Sequence, residues 1–348
     1  MRLESFQAYI FLYTPALRGQ SWGTFKKMHI ETLIFNPALL GMISVFAAIL
    51  WMLFDPKDKM RPLVVFAILI NLFYGTALTI VLGREGSLLP WKYDLVLLQI
   101  DKALGVSAAA IALPLVHGFL RIPLIVVYES LLPLVLLCYF MQRRAEARGV
   151  VLRAYVTELV IGPIFYALLP ACGPIYVFGA AWLHPVMEPA HTIRLSGMPN
   201  AFPSLHVATA FLFLIFARHV FWRVAASVFL LGTILSTLST GEHFVVDLIA
   251  GLTFGCFAGA VAHCRWQPAF VYLLILGSWS AAIRFGYAVL LAHPYALRFC
   301  ALITVLIAVH AVLVVWNIVP TLPELTDSPL KLDEVENGSR EAGLSPDS

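Results

Sequence analysis

The chain is poor in charge: charged residues are 12% of its 348 positions, while hydrophobic residues make up 60%. Soluble domains carry roughly twice that charged share, so an aqueous setting is excluded for most of the length. The net charge of +3 is too small to form a nucleic-acid-binding surface. The five cysteines, Cys138, Cys172, Cys256, Cys264 and Cys300, show neither C-x-x-C nor paired spacing and read as free, packed thiols. There is no glycine-rich cofactor fingerprint, no H-E-x-x-H, no carboxylate cluster and no internal repeat, so neither cofactor nor metal is expected. No cleavable leader is evident, because the apolar stretch Ala8 to Leu17 is short and interrupted by Thr14-Pro15.

What the chain has instead is long apolar runs, at about 36–54, 62–82, 120–141, 153–170, 204–218, 222–239, 244–263, 270–292 and 297–319. Crossing ~30 Å of hydrocarbon takes roughly 17 to 25 residues, so these runs predict an all-α, polytopic transmembrane bundle of about nine spans. Residues 1–30, with Arg2, Arg18, Lys26 and Lys27, suit an amphipathic segment lying in the interface. Residues 31–320 form the transmembrane domain, and 321–348, rich in Pro, Asp, Glu, Ser and Gly, should be a disordered cytoplasmic tail. The segment from Arg84 to His117 reads as a helix resting at headgroup level. Basic residues concentrate on one set of turnarounds, in the loop of Lys57, Lys59 and Arg61, in the stretch from Arg143 to Arg153, and at Arg218, Arg223 and Arg265. The opposite loops hold only Arg84, Lys92, Lys102, Arg194 and Arg298. The positive-inside rule makes the first face cytoplasmic, in a multi-pass protein expected at the plasma (inner) membrane.

Polar residues at membrane depth are costly and mark function. One stretch, Phe202 to Asp247, gathers them. It opens Phe202-Pro203-Ser204-Leu205-His206 and closes Gly241-Glu242-His243-Phe244-Val245-Val246-Asp247, with two apolar runs between. Pro203 and Ser204 signal a helix start, placing His206 in a first turn, where free N–H groups and the dipole favour phosphate oxygens. Gly241 permits a tight turn, and the spacing of His243 and Asp247 predicts that they share a helical face, with the carboxylate holding one ring nitrogen. One antiparallel excursion returns both histidines to the same, non-cytoplasmic surface, where one could attack and the other protonate what leaves. His219, His263 and His310 read as packing residues. Gly251 and Gly255 have the small-xxx-small spacing that packs helices.

These residues resemble the type 2 phosphatidic acid phosphatase superfamily of membrane lipid phosphatases and phosphotransferases, with its blocks K-x6-R-P, P-S-G-H and S-R-x5-H-x3-D. The second block is Pro203-Ser204-Leu205-His206, and the third is Ser236-Thr237, five residues, His243, three residues, Asp247. The first aligns with Tyr166, six residues, Gly173-Pro174, and the whole resemblance spans about 85–265. The departures are Tyr166 for Lys, Gly173 for Arg, Thr237 for Arg and Leu205 for Gly. They are similar to the inositolphosphotransferase branch, which includes inositolphosphorylceramide synthases. The resemblance implies a six-helix core, His243 as nucleophile forming a phosphohistidine, Asp247 as its orienting partner and His206 as general acid.

Three vacant cationic positions fit a singly charged phosphodiester better than a phosphomonoester. Ser204, Gly241 and Thr237 join the candidate substrate-binding residues. Arg194 offers a charge or is a solvated loop residue, and Arg284 is an intramembrane candidate or pairs within the bundle. Tyr166 donates to phosphate or anchors at the interface. The expected activity is lipid phosphotransfer or phosphoester cleavage, with membrane lipids and a lipid alcohol or water as partners. The rivals are a plain lipid phosphatase, acting on phosphatidate or a polyprenyl diphosphate, and a transporter or scaffold with a histidine proton path.

Overall fold

The computed structural model describes residues 88–316 apart from 186, 187 and 196. The apolar runs at 36–54 and 62–82, the N-terminal segment 1–30 and the tail 321–348 lie outside the described residues. A short antiparallel clasp, β1 (Trp91–Lys92) with β2 (Ile193–Arg194), is the only sheet among them. The rest is helical: α1 (Asp94–Leu104), α2 (Ala108–His117), α3 (Arg121–Glu129), α4 (Leu131–Phe140), α5 (Ala145–Leu168) and the short α6 (Pro174–Phe178). Then come α7 (Leu205–Phe216), α8 (Val220–Thr240), α9 (Val245–Ala262), α10 (Trp266–Ala292) and α11 (Pro294–Val315).

The molecule is an all-α polytopic bundle. Among the described residues five helices, α5 and α8 to α11, are long and apolar enough to cross a membrane, and two bent pairs would raise that number to seven. The expected span 120–141 is one of these pairs: α3 and α4 meet at Ser130 with a bend of 65°. Pro133 explains the break, since it has no N–H to give the carbonyl one turn back. The expected surface helix from Arg84 to His117 is the other pair, α1 and α2, bent by 91°. Gly105, at φ 83°, ends α1, and the Ser107 hydroxyl accepts from Ala110 N to start α2. This segment is packed into the bundle: Lys92 and Asp94 are fully buried and α2 packs against α8. The expected span 204–218 is also shorter than its apolar run suggested, because α7 has 12 residues, about 18 Å at 1.5 Å per residue.

Helix α9 is the hub, packed by α1, α5, α7, α10 and α11. Its approach to α7 depends on absent side chains. A Cβ on Gly251 would sit 2.6 Å from the Ser204 carbonyl oxygen, and one on Gly255 would sit 2.9 Å from the Phe211 ring. The small-residue spacing does pack helices, and it draws together the two that begin at the histidine motifs. At the far end of α9, Arg153 Nε donates to Ala262 O at 3.1 Å, placing a cation where the helix dipole is negative. The arginines Arg153, Arg218 and Arg265 thus lie at the opposite end of α7 and α9 from His206 and His243.

Candidate active site

Ser204 caps α7: its hydroxyl accepts from Val207 N at 3.4 Å, and its own N–H donates to Asp247 O at 3.0 Å. His206 follows in the first turn, half-buried. His243 lies in the extended link between Gly241, the left-handed end of α8 at φ 73°, and the first residue of α9. The two rings meet. His243 Nε2 is 3.3 Å from His206 Nδ1 and 3.3 Å from Ser204 Oγ, with ring centroids 5.5 Å apart.

The tautomer of His243 follows from its partners. Nδ1 lies 3.0 Å from the Ala201 carbonyl oxygen, which only accepts, so Nδ1 carries the proton and Nε2 keeps a basic lone pair. The Asp247 carboxylate faces the same nitrogen, 3.7 Å from Nδ1, so it stands on the side of the ring where an orienting partner is expected. Because His243 precedes α9 rather than lying on it, the two side chains do not share a helical face. The carboxylate also accepts from Phe244 N at 2.8 Å. Its other oxygen, Oδ1, is buried with no hydrogen-bond partner.

Two carboxylates of the expected headgroup-level helix, to which the sequence reading gave no site role, hold the motif loops in place. Asp101 accepts from Val245 N at 2.7 Å and Val246 N at 3.1 Å, so it caps α9 next to His243. With Asp247 on Phe244 N, the free N–H groups that open this helix meet carboxylates at its positive end. Asp94 accepts from Cys172 N at 2.9 Å and Gly173 N at 2.6 Å, fixing the loop that faces the His243 link. Replacing Asp101 with Ala would strand two buried N–H groups, at about 1–3 kcal/mol each. We expect Asp101→Ala to lower the melting temperature by several degrees and turnover by roughly tenfold or more. Differential scanning of the purified protein alongside an activity assay reads both, and wild-type values in each would refute the capping role.

Tyr128 and Glu242 were also missed. The Tyr128 ring stacks on His206, with centroids 4.4 Å apart and an interplanar angle of 20°, and its hydroxyl donates to Glu242 Oε2. Only the adjacency of Glu242 to His243 was a sequence signal; Tyr128 lies within what read as plain apolar span.

The expected substrate-binding residues separate. Ser204 is in the site. Gly241 forms its turn, and a Cβ there would meet the Trp182 ring at 2.8 Å. Thr237 is buried on α8 and its hydroxyl donates to Ile234 O. Tyr166 is buried near the end of α5. Arg194 is exposed on β2, opposite Trp91. Arg284 donates to the Leu168 carbonyl at the end of α5, which realises the bundle-pairing alternative.

Two of the departures from the motif pattern have structural causes. Gly173 is at φ 107°, and a Cβ would lie 2.2 Å from Glu242 O, so no larger residue fits. Leu205 packs on Gly162, where a Cβ would come within 2.9 Å of its side chain.

Residues 95–261, from within α1 to within α9, match the profile of the PAP2 superfamily. Its members are phosphatases and phosphotransferases of lipid-like phosphoesters. No curated protein and no solved structure shows significant similarity to the chain.

Proposed function

We propose that the chain is an integral membrane enzyme that cleaves a lipid phosphoester through a covalent phosphohistidine and passes the phosphoryl-linked headgroup to a lipid alcohol or water, as inositolphosphotransferases do. One observation carries this reading: the lone pair of His243 Nε2 points at a second imidazole 3.3 Å away, at the N-terminus of α7. Phosphorus brought to Nε2 as the two rings part meets a nucleophile in one imidazole and a proton donor in the other. His243 Nε2 forms the N–P bond, the P–O bond to the leaving alcohol breaks, and His206, carrying a proton once the phosphate anion is bound beside it, gives that oxygen its proton. His206, now neutral, takes the proton of the incoming hydroxyl, whose oxygen displaces His243 and restores the starting state.

While phosphorylated at Nε2 and protonated at Nδ1, the His243 ring is cationic. The Ala201 carbonyl and the buried Asp247 carboxylate with its unpartnered oxygen are the groups that would stabilise it. The Ser204 hydroxyl and the first N–H groups of α7 would take the phosphoryl oxygens. The positive-inside rule supports a non-cytoplasmic site, since the arginine-rich turnarounds lie at the other end of the helices.

Incubating purified protein with headgroup-labelled phosphatidylinositol and either ceramide or diacylglycerol, followed by thin-layer analysis, tests the reading. A new labelled phospholipid and a base-stable, acid-labile phosphoprotein are expected. Release of headgroup phosphate alone would make the chain a plain lipid phosphatase. Absence of any trapped phosphohistidine and of any product would refute the enzyme reading and leave a transporter or scaffold.

A further inference from the structure

Resting on the reaction proposed above, we propose that Glu242 is a specificity-determining residue whose fixed carboxylate favours singly charged phosphodiesters over doubly charged phosphomonoesters. Glu242 directly precedes the nucleophile, and its Oε2 accepts from the hydroxyl of Tyr128, whose ring lies flat on His206. The carboxylate is therefore held relative to both imidazoles, by one peptide on one side and by an aromatic ring on the other. The phenol donates to this carboxylate, so a negative charge at Glu242 would stand beside the two imidazoles that flank the phosphate.

The three positions where the motif pattern expects cations do not offset that charge. Position 173 is closed to any side chain by the Glu242 backbone, where a Cβ would lie 2.2 Å from the carbonyl oxygen. Thr237 is neutral, and its hydroxyl donates along its own helix to Ile234 O. Position 166 is a buried tyrosine. Arg284, the intramembrane candidate named from the sequence, donates to the Leu168 carbonyl. The glycine at 173 and the glutamate at 242 are thus two parts of one arrangement: the main chain of the second occupies the space the first leaves empty, and its side chain brings the opposite sign.

A phosphodiester carries one negative charge, and a phosphomonoester above its second pKa, about 6, carries nearly two. Each added unit of negative charge near a fixed carboxylate is opposed by Coulomb repulsion, strengthened where water is excluded. This is selection by a repulsive element, and a single such charge accounts for roughly tenfold discrimination.

The test uses two substrates with the same leaving alcohol, dioctanoyl phosphatidylinositol and dioctanoyl phosphatidate, in detergent at pH 8, with diacylglycerol release as the readout for both. The wild-type protein should favour the diester in kcat/KM. Glu242→Gln should collapse the diester-to-monoester ratio by about tenfold, whatever its common effect on the two rates. Raising salt should narrow the wild-type ratio and leave that of the variant unchanged. Tyr128→Phe, which keeps the ring but releases the carboxylate, should narrow the ratio in part. If Glu242→Gln does not fold, the wild-type salt response and Tyr128→Phe decide the matter. Turnover of both lipids with a ratio insensitive to Glu242→Gln, Tyr128→Phe and salt would overturn the inference and leave the reaction standing. Release of diacylglycerol from neither lipid by the wild type would refute the reaction itself.

Discussion

His243→Ala should reduce turnover by at least about 10⁴-fold, because it removes the atom that forms the covalent bond and no neighbouring group can replace it. The imidazole is 1% exposed and touches the Ala201 carbonyl and Ser204 hydroxyl, so truncation also takes that partner from the buried Ala201 carbonyl, at about 1–3 kcal/mol. The two effects separate experimentally. A thermal scan should show a folded protein melting several degrees lower, a loss far too small to account for the activity. Trapping with labelled substrate should yield no phosphohistidine. A variant retaining more than about 1% of wild-type turnover, or still labelled, would move the nucleophile elsewhere.

His206→Ala should cost about 10² to 10⁴-fold on a lipid substrate, the usual range for a lost general acid. The sharper measurement compares leaving groups. Diacylglycerol is a poor leaving group and needs the proton that His206 supplies, whereas a nitrophenolate leaves without one. On a nitrophenyl phosphoester the variant should therefore lose at least tenfold less than on the lipid. Equal losses on both substrates would assign His206 to binding or to holding the His243 ring, which it touches at 3.3 Å. Loss of the stack on Tyr128 adds a stability change of about 0.5–1.5 kcal/mol, which a thermal scan reports separately.

Much of the architecture was legible in composition and periodicity. The apolar runs at 153–170, 222–239, 244–263, 270–292 and 297–319 each correspond to a long helix, because hydrocarbon leaves backbone groups no partner but their own helix. Reading failed where a run's length hid a break. Apolar sequence is equally compatible with one span or two short helices at an angle, and what decides is a single residue such as Pro133 or Gly105. The segment around Asp94 and Asp101 was read as a helix at headgroup level, on residue types that favour the interface. The partners of the two carboxylates are backbone N–H groups 78 and 144 positions away, and backbone donors have no residue type for a pattern to show.

Composition and spacing alone determined a helical membrane protein with two histidine motifs at one end of a helical excursion, since hydrophobic length and helical direction are properties of local sequence. Tertiary structure decided which atoms meet. The Ala201 carbonyl, with the Asp247 carboxylate behind it, faces His243 Nδ1, Asp101 caps the helix beside it, and Tyr128 joins Glu242 to His206. Hydrogen bonds need donor and acceptor within a few tenths of an ångström, and only the packing of α7 on the glycine face of α9 brings groups from distant parts of the chain that close.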